Sequence, residues 1–211
     1  MNTKKTALCL GLLAVSAASQ AVVLTPDNWT ALPGNTAPSG TVIVDELVPF
    51  SLGDMSGFVQ NRVVRKPDQG LVFVWRLARE DRSSSSLMKM FRLGDFHTSV
   101  YDADYSNTSI GTHPVNFAYL FSGGGGDVNW LFTDTTGGAG GLEENTSSRI
   151  FYLDTDERRY AKTAQYDLVG HDGSNWLYSQ QFATYAPVPE PASLLVLGLG
   201  ATALLRRKRK A

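Results

Sequence analysis

Where could this 211-residue chain do chemistry? His171 and Asp172 stand side by side, and a carboxylate beside an imidazole can orient it as a general base. Neighbours on a strand point to opposite faces, however, and "HDGSN" from His171 to Asn175 has the make-up of a hairpin turn. No G-x-S-x-G nucleophile turn occurs in the chain. "DADYSN", beginning at Asp102, opens like a calcium loop, but an EF-hand needs glycine and glutamate where Asn107 and His113 stand. A looser calcium site drawing on Asp102, Asp104, Asp154 and Asp156 would suit a cation that takes loop oxygens, with solvated loop acids as the simpler reading, and no other cofactor is called for. His97 and His113 lack a second histidine or a cysteine at zinc spacing. Hydrolysis of a glycosidic bond needs two carboxylates flanking it, and spacing singles out no such pair. The sequence therefore nominates no catalytic residue. Trp29, Trp75, Trp130 and Trp176 could stack on sugar rings wherever they are exposed. Trp75 and Trp130 sit in alternating apolar runs and belong to a core. Trp29 and Trp176 are left as the surface aromatics.

The elements that must position these residues are strands. Period-two runs recur every ten to fifteen residues with glycine or polar breaks between them, and no long stretch has helical periodicity. In "GLVFVWRLARE", Leu71, Phe73, Trp75 and Leu77 share one face, and Val72, Val74, Arg76 and Ala78 the other. "DVNWLFTD" and "SSRIFYLDTD" alternate in the same way. Further strands are expected at Thr41 to Val48, Gly57 to Arg65, Leu87 to Leu93, Val115 to Phe121, Thr163 to Val169 and Trp176 to Tyr185, about nine in all. Turn chemistry marks Gly123 to Gly126, Thr135 to Gly141 and His171 to Asn175. The expected architecture is all-β, an antiparallel two-sheet sandwich of which a jelly roll is one form. "TYAPVPEP", from Thr184, reads as an extended linker leaving it.

Both ends of the chain read as addresses. Lys4 and Lys5 precede an apolar run, and small residues follow at Ser19 and Ala21, the pattern of a secretory signal peptide over 1–21, cut by signal peptidase after Ala21. The run reaches only about half of the roughly 20 residues a membrane span needs. Cys9, the only cysteine, leaves with that segment, so the body, 22–186, must be held by burial. The body carries 12 basic against 19 acidic residues, a charge near −7 that disfavours nucleic acid and anionic lipid as partners. The tail, 187–211, joins Pro189, Glu190 and Pro191 to an uncharged stretch of 14 residues, Ala192 to Leu205, and a basic run of Arg206, Arg207, Lys208, Arg209 and Lys210. As a helix the stretch would rise about 21 Å against roughly 30 Å of hydrocarbon, enough for a short transmembrane insertion with its basic end left cytoplasmic.

That ordered triplet, apolar stretch and basic run resemble the PEP-CTERM sorting signal. The resemblance implies an exported precursor that inserts transiently in the inner membrane of a Gram-negative bacterium. An exosortase, a membrane-embedded cysteine protease, then processes it to the cell surface or to an extracellular matrix of exopolysaccharide. The body is similar, more loosely, to a recurring type of such proteins, through "LVFVWRL" and "SSRIFYLDTD"; that type has no assigned reaction. The expectation is a non-enzymatic protein that works by binding or assembly. A carbohydrate-binding module with Trp29 or Trp176 on the sugar, and a glycan hydrolase, are the rivals.

Overall fold

Strands whose two faces differ in polarity can bury only one of them, and two such sheets closing on each other satisfy both. The computed structural model describes residues 21–81, 84–108, 110–123, 125–132 and 140–188. Among them it contains no helix and thirteen strands in two antiparallel sheets. In chain order these are β1 (Val22–Val23), β2 (Trp29–Ala31), β3 (Thr41–Leu52), β4 (Met55–Arg65), β5 (Leu71–Arg79), β6 (Leu87–Gly94), β7 (Asp102–Tyr105), β8 (Phe117–Leu120), β9 (Val128–Leu131), β10 (Phe151–Thr155), β11 (Tyr160–His171), β12 (Trp176–Tyr178) and β13 (Phe182–Pro187). The first sheet runs β1-β7-β10-β5-β4-β3, and the second β12-β11-β6-β9-β8-β2 with β13 also paired to β11. No helix among the described residues is long and apolar enough to cross a membrane. The expected signal peptide, the triplet Pro189, Glu190 and Pro191, the apolar stretch and Arg206 to Lys210 lie outside the described residues, apart from Ala21 at their start, as does most of the Thr135–Gly141 turn.

β5 shows how the sequence builds the core. Leu71, Phe73, Trp75 and Leu77 all point between the sheets, as their alternation requires. Trp75 lies 5.5 Å from Trp130 and 5.7 Å from Phe91, ring centre to ring centre, so strands of both sheets meet on it. Its indole N–H donates to Thr184 (3.1 Å), whose hydroxyl donates to Asn61 (2.9 Å), a buried polar link from β5 through β13 to β4. The other face of β5 is also covered, because Val72 and Val74 pack with Val64 and Tyr152 in a second small cluster. This explains why β5 reads as an almost unbroken apolar run.

The strand count exceeds the expected nine for local reasons. β1 and β2 are too short to show a period. β7, "DADY", reads as loop acids, yet Ala103 faces the core and Asp104 is buried with its charge satisfied. β3 continues four residues past Val48, through Pro49, because as the edge strand of its sheet it tolerates a residue without an N–H. The single strand expected from Trp176 to Tyr185 is two, β12 and β13, which pair with successive stretches of β11. The extended linker is corrected too: Thr184 to Pro187 belong to β13, with Tyr160 opposite Pro187, because Thr184 and Ala186 have core positions to fill.

Candidate binding face

The second sheet has one face in the core and one toward solvent, and strand parity decides which residues the outer face receives. Ala118, Trp130 and Leu168 point inward, so their neighbours Tyr119, Asn129 and Asp167 point outward. Register then lines up a row across the sheet: Trp29 opposite Tyr119, Tyr119 opposite Asn129, Asn129 opposite Arg92, and Arg92 opposite Asp167. The Trp29 and Tyr119 rings are 5.3 Å apart, and Phe121 joins them 4.6 Å from Tyr119. At the far edge, Trp176 and Tyr178 project to the same side, with Trp176 against His171 at 5.0 Å. Trp29 is 45% exposed, Trp176 52% and Tyr178 59%, values that leave their rings free to meet a ligand.

The middle of the face is polar and ordered. Arg92 binds Asp167 through two parallel hydrogen bonds, one of 2.6 Å from Nε, and its guanidinium lies over the Tyr178 ring, 5.3 Å from the centre. Hydrogen bonding to Asp167 holds the Arg92 pKa above its ordinary value, so the cation is permanent. Beside this pair lies a shallow depression of about 300 Å³ bordered by Arg92, Phe121, Asp127, Asn129, Gln165 and Gln181, among others. The side-chain amides of Asn129 and Gln181 are engaged by no other described residue. Gly126 shapes the loop next to it: at φ +89° a side chain there would run into the Phe96 carbonyl and the Tyr101 hydroxyl.

The expected calcium ligands separate into different roles. Asp104 is buried and accepts from Gly34 N–H (2.8 Å), Asn35 N–H (3.2 Å) and the Asn35 amide (2.8 Å), fixing that segment over the outer face of the first sheet. Asp102 and Asp154 face each other across β7 and β10, and Lys66 lies 2.7 Å from Asp154. Burial first, then the neighbouring carboxylates, raises the pKa of Asp102; burial likewise raises that of Asp154, more than Lys66 lowers it. Asp156 is exposed. These three acids and Lys66 border a hollow of about 140 Å³, below the usual range for organic ligands. Among the described residues no group of three or more His, Cys, Asp or Glu side chains is arranged to hold a metal ion. His171 and Asp172 do not cooperate: Asp172 accepts from Ser174 N–H (2.8 Å) and Asn175 N–H (2.6 Å), making the turn that "HDGSN" announces.

Parity in the sequence could place Trp29, Tyr119 or Trp176 on a strand's outer side. It could not reveal that non-consecutive strands bring them to one face.

What fold and face define is a two-sheet β protein with a polar, aromatic-rimmed outer surface. Residues 187–210 match the PEP-CTERM protein-sorting motif. The motif implies an exported protein, targeted to an exosortase and sorted to the cell surface. The match does not extend into the body, and no curated protein and no solved structure matches the chain.

Proposed function

We propose that this is an exosortase-processed protein of the cell surface or extracellular matrix of a Gram-negative bacterium, acting by binding or assembly in association with exopolysaccharide and catalysing no reaction itself. The observation that carries the reading is the motif match over residues 187–210, with the signal-peptide pattern at the other end of the chain supporting it. Signal peptidase and the exosortase are its processing partners, and insertion through Ala192 to Leu205 is transient. Against a hydrolase, Asp167 already gives both oxygens to Arg92, so it stands poorly placed as a proton donor beside Asp127.

Replacing Pro189, Glu190 and Pro191 with alanine is expected to leave unprocessed precursor in the inner membrane, and deleting Arg206 to Lys210 to mis-sort the protein. The intact mass of protein recovered from the host surface and medium checks both: the wild type should lack 1–21 and most of the tail. A wild-type mass running to Ala211, or normal maturation of the alanine variant, would refute processing through this motif.

A second reading, a carbohydrate-binding module, is favoured by one observation, the exposure of Trp29 and Trp176 on a single sheet face.

A further inference from the structure

We infer that the outer face of the second sheet binds a neutral polysaccharide strand laid across it from Trp29 to Trp176, with Asn129, Arg92 and Asp167 reading its hydroxyls. The inference rests on the reading that the protein works by binding, and adds to it a site and a class of ligand.

Placement is the first argument. Trp29 belongs to β2 and Trp176 to β12, the two ends of the strand order β12-β11-β6-β9-β8-β2. Five interstrand spacings of about 4.8 Å, with an offset of about 13 Å along the strands because Trp176 pairs with His171 and not with Asp167, put them roughly 27 Å apart on one side of the sheet. A site for a small metabolite would gather its aromatics round one hollow; two aromatic stations at opposite rims suit an extended chain.

Chemistry is the second. A sugar ring has C–H faces that lie on aromatic rings and a rim of hydroxyls that both donate and accept hydrogen bonds. Trp29 with Tyr119 and Phe121 on one side, and Trp176 with Tyr178 on the other, supply the ring surfaces. Between them the Asn129 and Gln181 amides, unengaged by other described residues, offer donors and acceptors at the depression. The fixed Arg92–Asp167 pair adds the Arg92 N–H groups not spent on Asp167 and the second lone pairs of a carboxylate already held in place, so little ordering is lost on binding.

Charge selects the class. The body carries about −7 by its 12 basic and 19 acidic residues, and the face itself sets Asp95, Asp127 and Asp167 against Arg92. A uronic-acid or sulfated polymer would be repelled. A protein partner fits less well, because aspartate is depleted in protein interfaces, whereas Asp95, Asp127 and Asp167 all stand on this face.

The test uses the protein exported and processed by its own host, as wild type and as Trp29→Ala, Trp176→Ala and Asn129→Ala. Near-ultraviolet circular dichroism confirms that the Trp75 and Trp130 core is intact in each. Calorimetry is run with glucan, mannan and galactan oligosaccharides long enough to span the face, and with alginate oligomers as the acidic counterpart. Expected is binding to at least one neutral series, little changed by a roughly tenfold rise in salt, and weakened about tenfold by either tryptophan substitution. Binding to alginate alone overturns the assignment to neutral glycans. Neutral binding untouched by all three substitutions overturns the site and leaves the binding reading intact. Should the wild type bind none of these probes, the inference falls; retention in the host's matrix fraction would then preserve the broader reading, and its absence would remove that too. Self-association abolished by Trp29→Ala, with no glycan bound, would make this face a contact between copies and overturn the inference.

Discussion

Arg79 is 2% exposed, and its guanidinium is shared among the Asp81 carboxylate, the Ser86 carbonyl (2.7 Å) and the Leu142 carbonyl (2.7 Å). Burial by itself would raise the Asp81 pKa, but hydrogen bonds from Arg79 and the Ser56 N–H outweigh it and hold the carboxyl below its ordinary range. A carboxyl depressed in the fold contributes stability above its unfolded pKa and loses it as pH falls through the folded one. Arg79→Ala is therefore expected to cost about 3–5 kcal/mol at neutral pH, because it strands a buried charge, and the deficit should narrow in acid as Asp81 protonates. Urea unfolding at both pH values checks it, and an unchanged midpoint would count against the pair. Asp102 has the opposite sign. Its raised pKa, from burial and then Asp154 and Asp104, means that ionisation opposes folding above the ordinary carboxylate range and not below it. Asp102→Asn should stabilise at neutral pH by up to about 1 kcal/mol, since water screens the group, with the gain vanishing in acid. A loss of stability at neutral pH would instead reveal a favourable role for the charge.

Strands with an apolar face were legible in the sequence: β5, β9 and β10 lie where alternation places them, and Trp75 and Trp130 are buried as their neighbours imply. β7 was not, because Asp102 and Asp104 occupy alternate positions normally read as solvated, and the groups that satisfy Asp104, in Gly34 and Asn35, are about 70 residues away. The candidate face was legible only in parts. Trp29 and Trp176 stood out singly, but a face is a property of strand order, and β2 pairs with β8 while β12 pairs with β11. The same long-range logic yields a prediction for the segment between β2 and β3. Asp104→Ala would remove the acceptor of three hydrogen bonds to Gly34 and Asn35, at a cost of about 2–3 kcal/mol for charge-assisted bonds lost together. Amide exchange should then quicken first at Gly34 and Asn35, with β5 and β10 still protected. Uniform quickening across both sheets would mean that the segment is part of one cooperative unit with the core.

For the molecule as a whole, address and architecture meet at residues 187–188, the end of β13 and the start of the matched motif. The core cluster runs from Leu24 to Ala186, and the last described backbone bond joins the Val188 N–H to the Arg159 carbonyl (3.0 Å), while the sorting motif matches 187–210. Among the described residues, every strand of both sheets and every member of the core cluster precedes Pro189. Deleting 189–211 is therefore expected to leave the thermal midpoint of the exported body within about 2 °C, less than the shift that 1 kcal/mol produces at this size, while abolishing exosortase processing. Conversely, grafting 187–211 onto an unrelated exported passenger should carry that passenger to the surface of the same host. A fall in midpoint beyond that margin would show that the tail packs on the body. A passenger that stays in the membrane uncut would show that the exosortase also reads part of the sandwich, and the division between address and architecture would have to be redrawn.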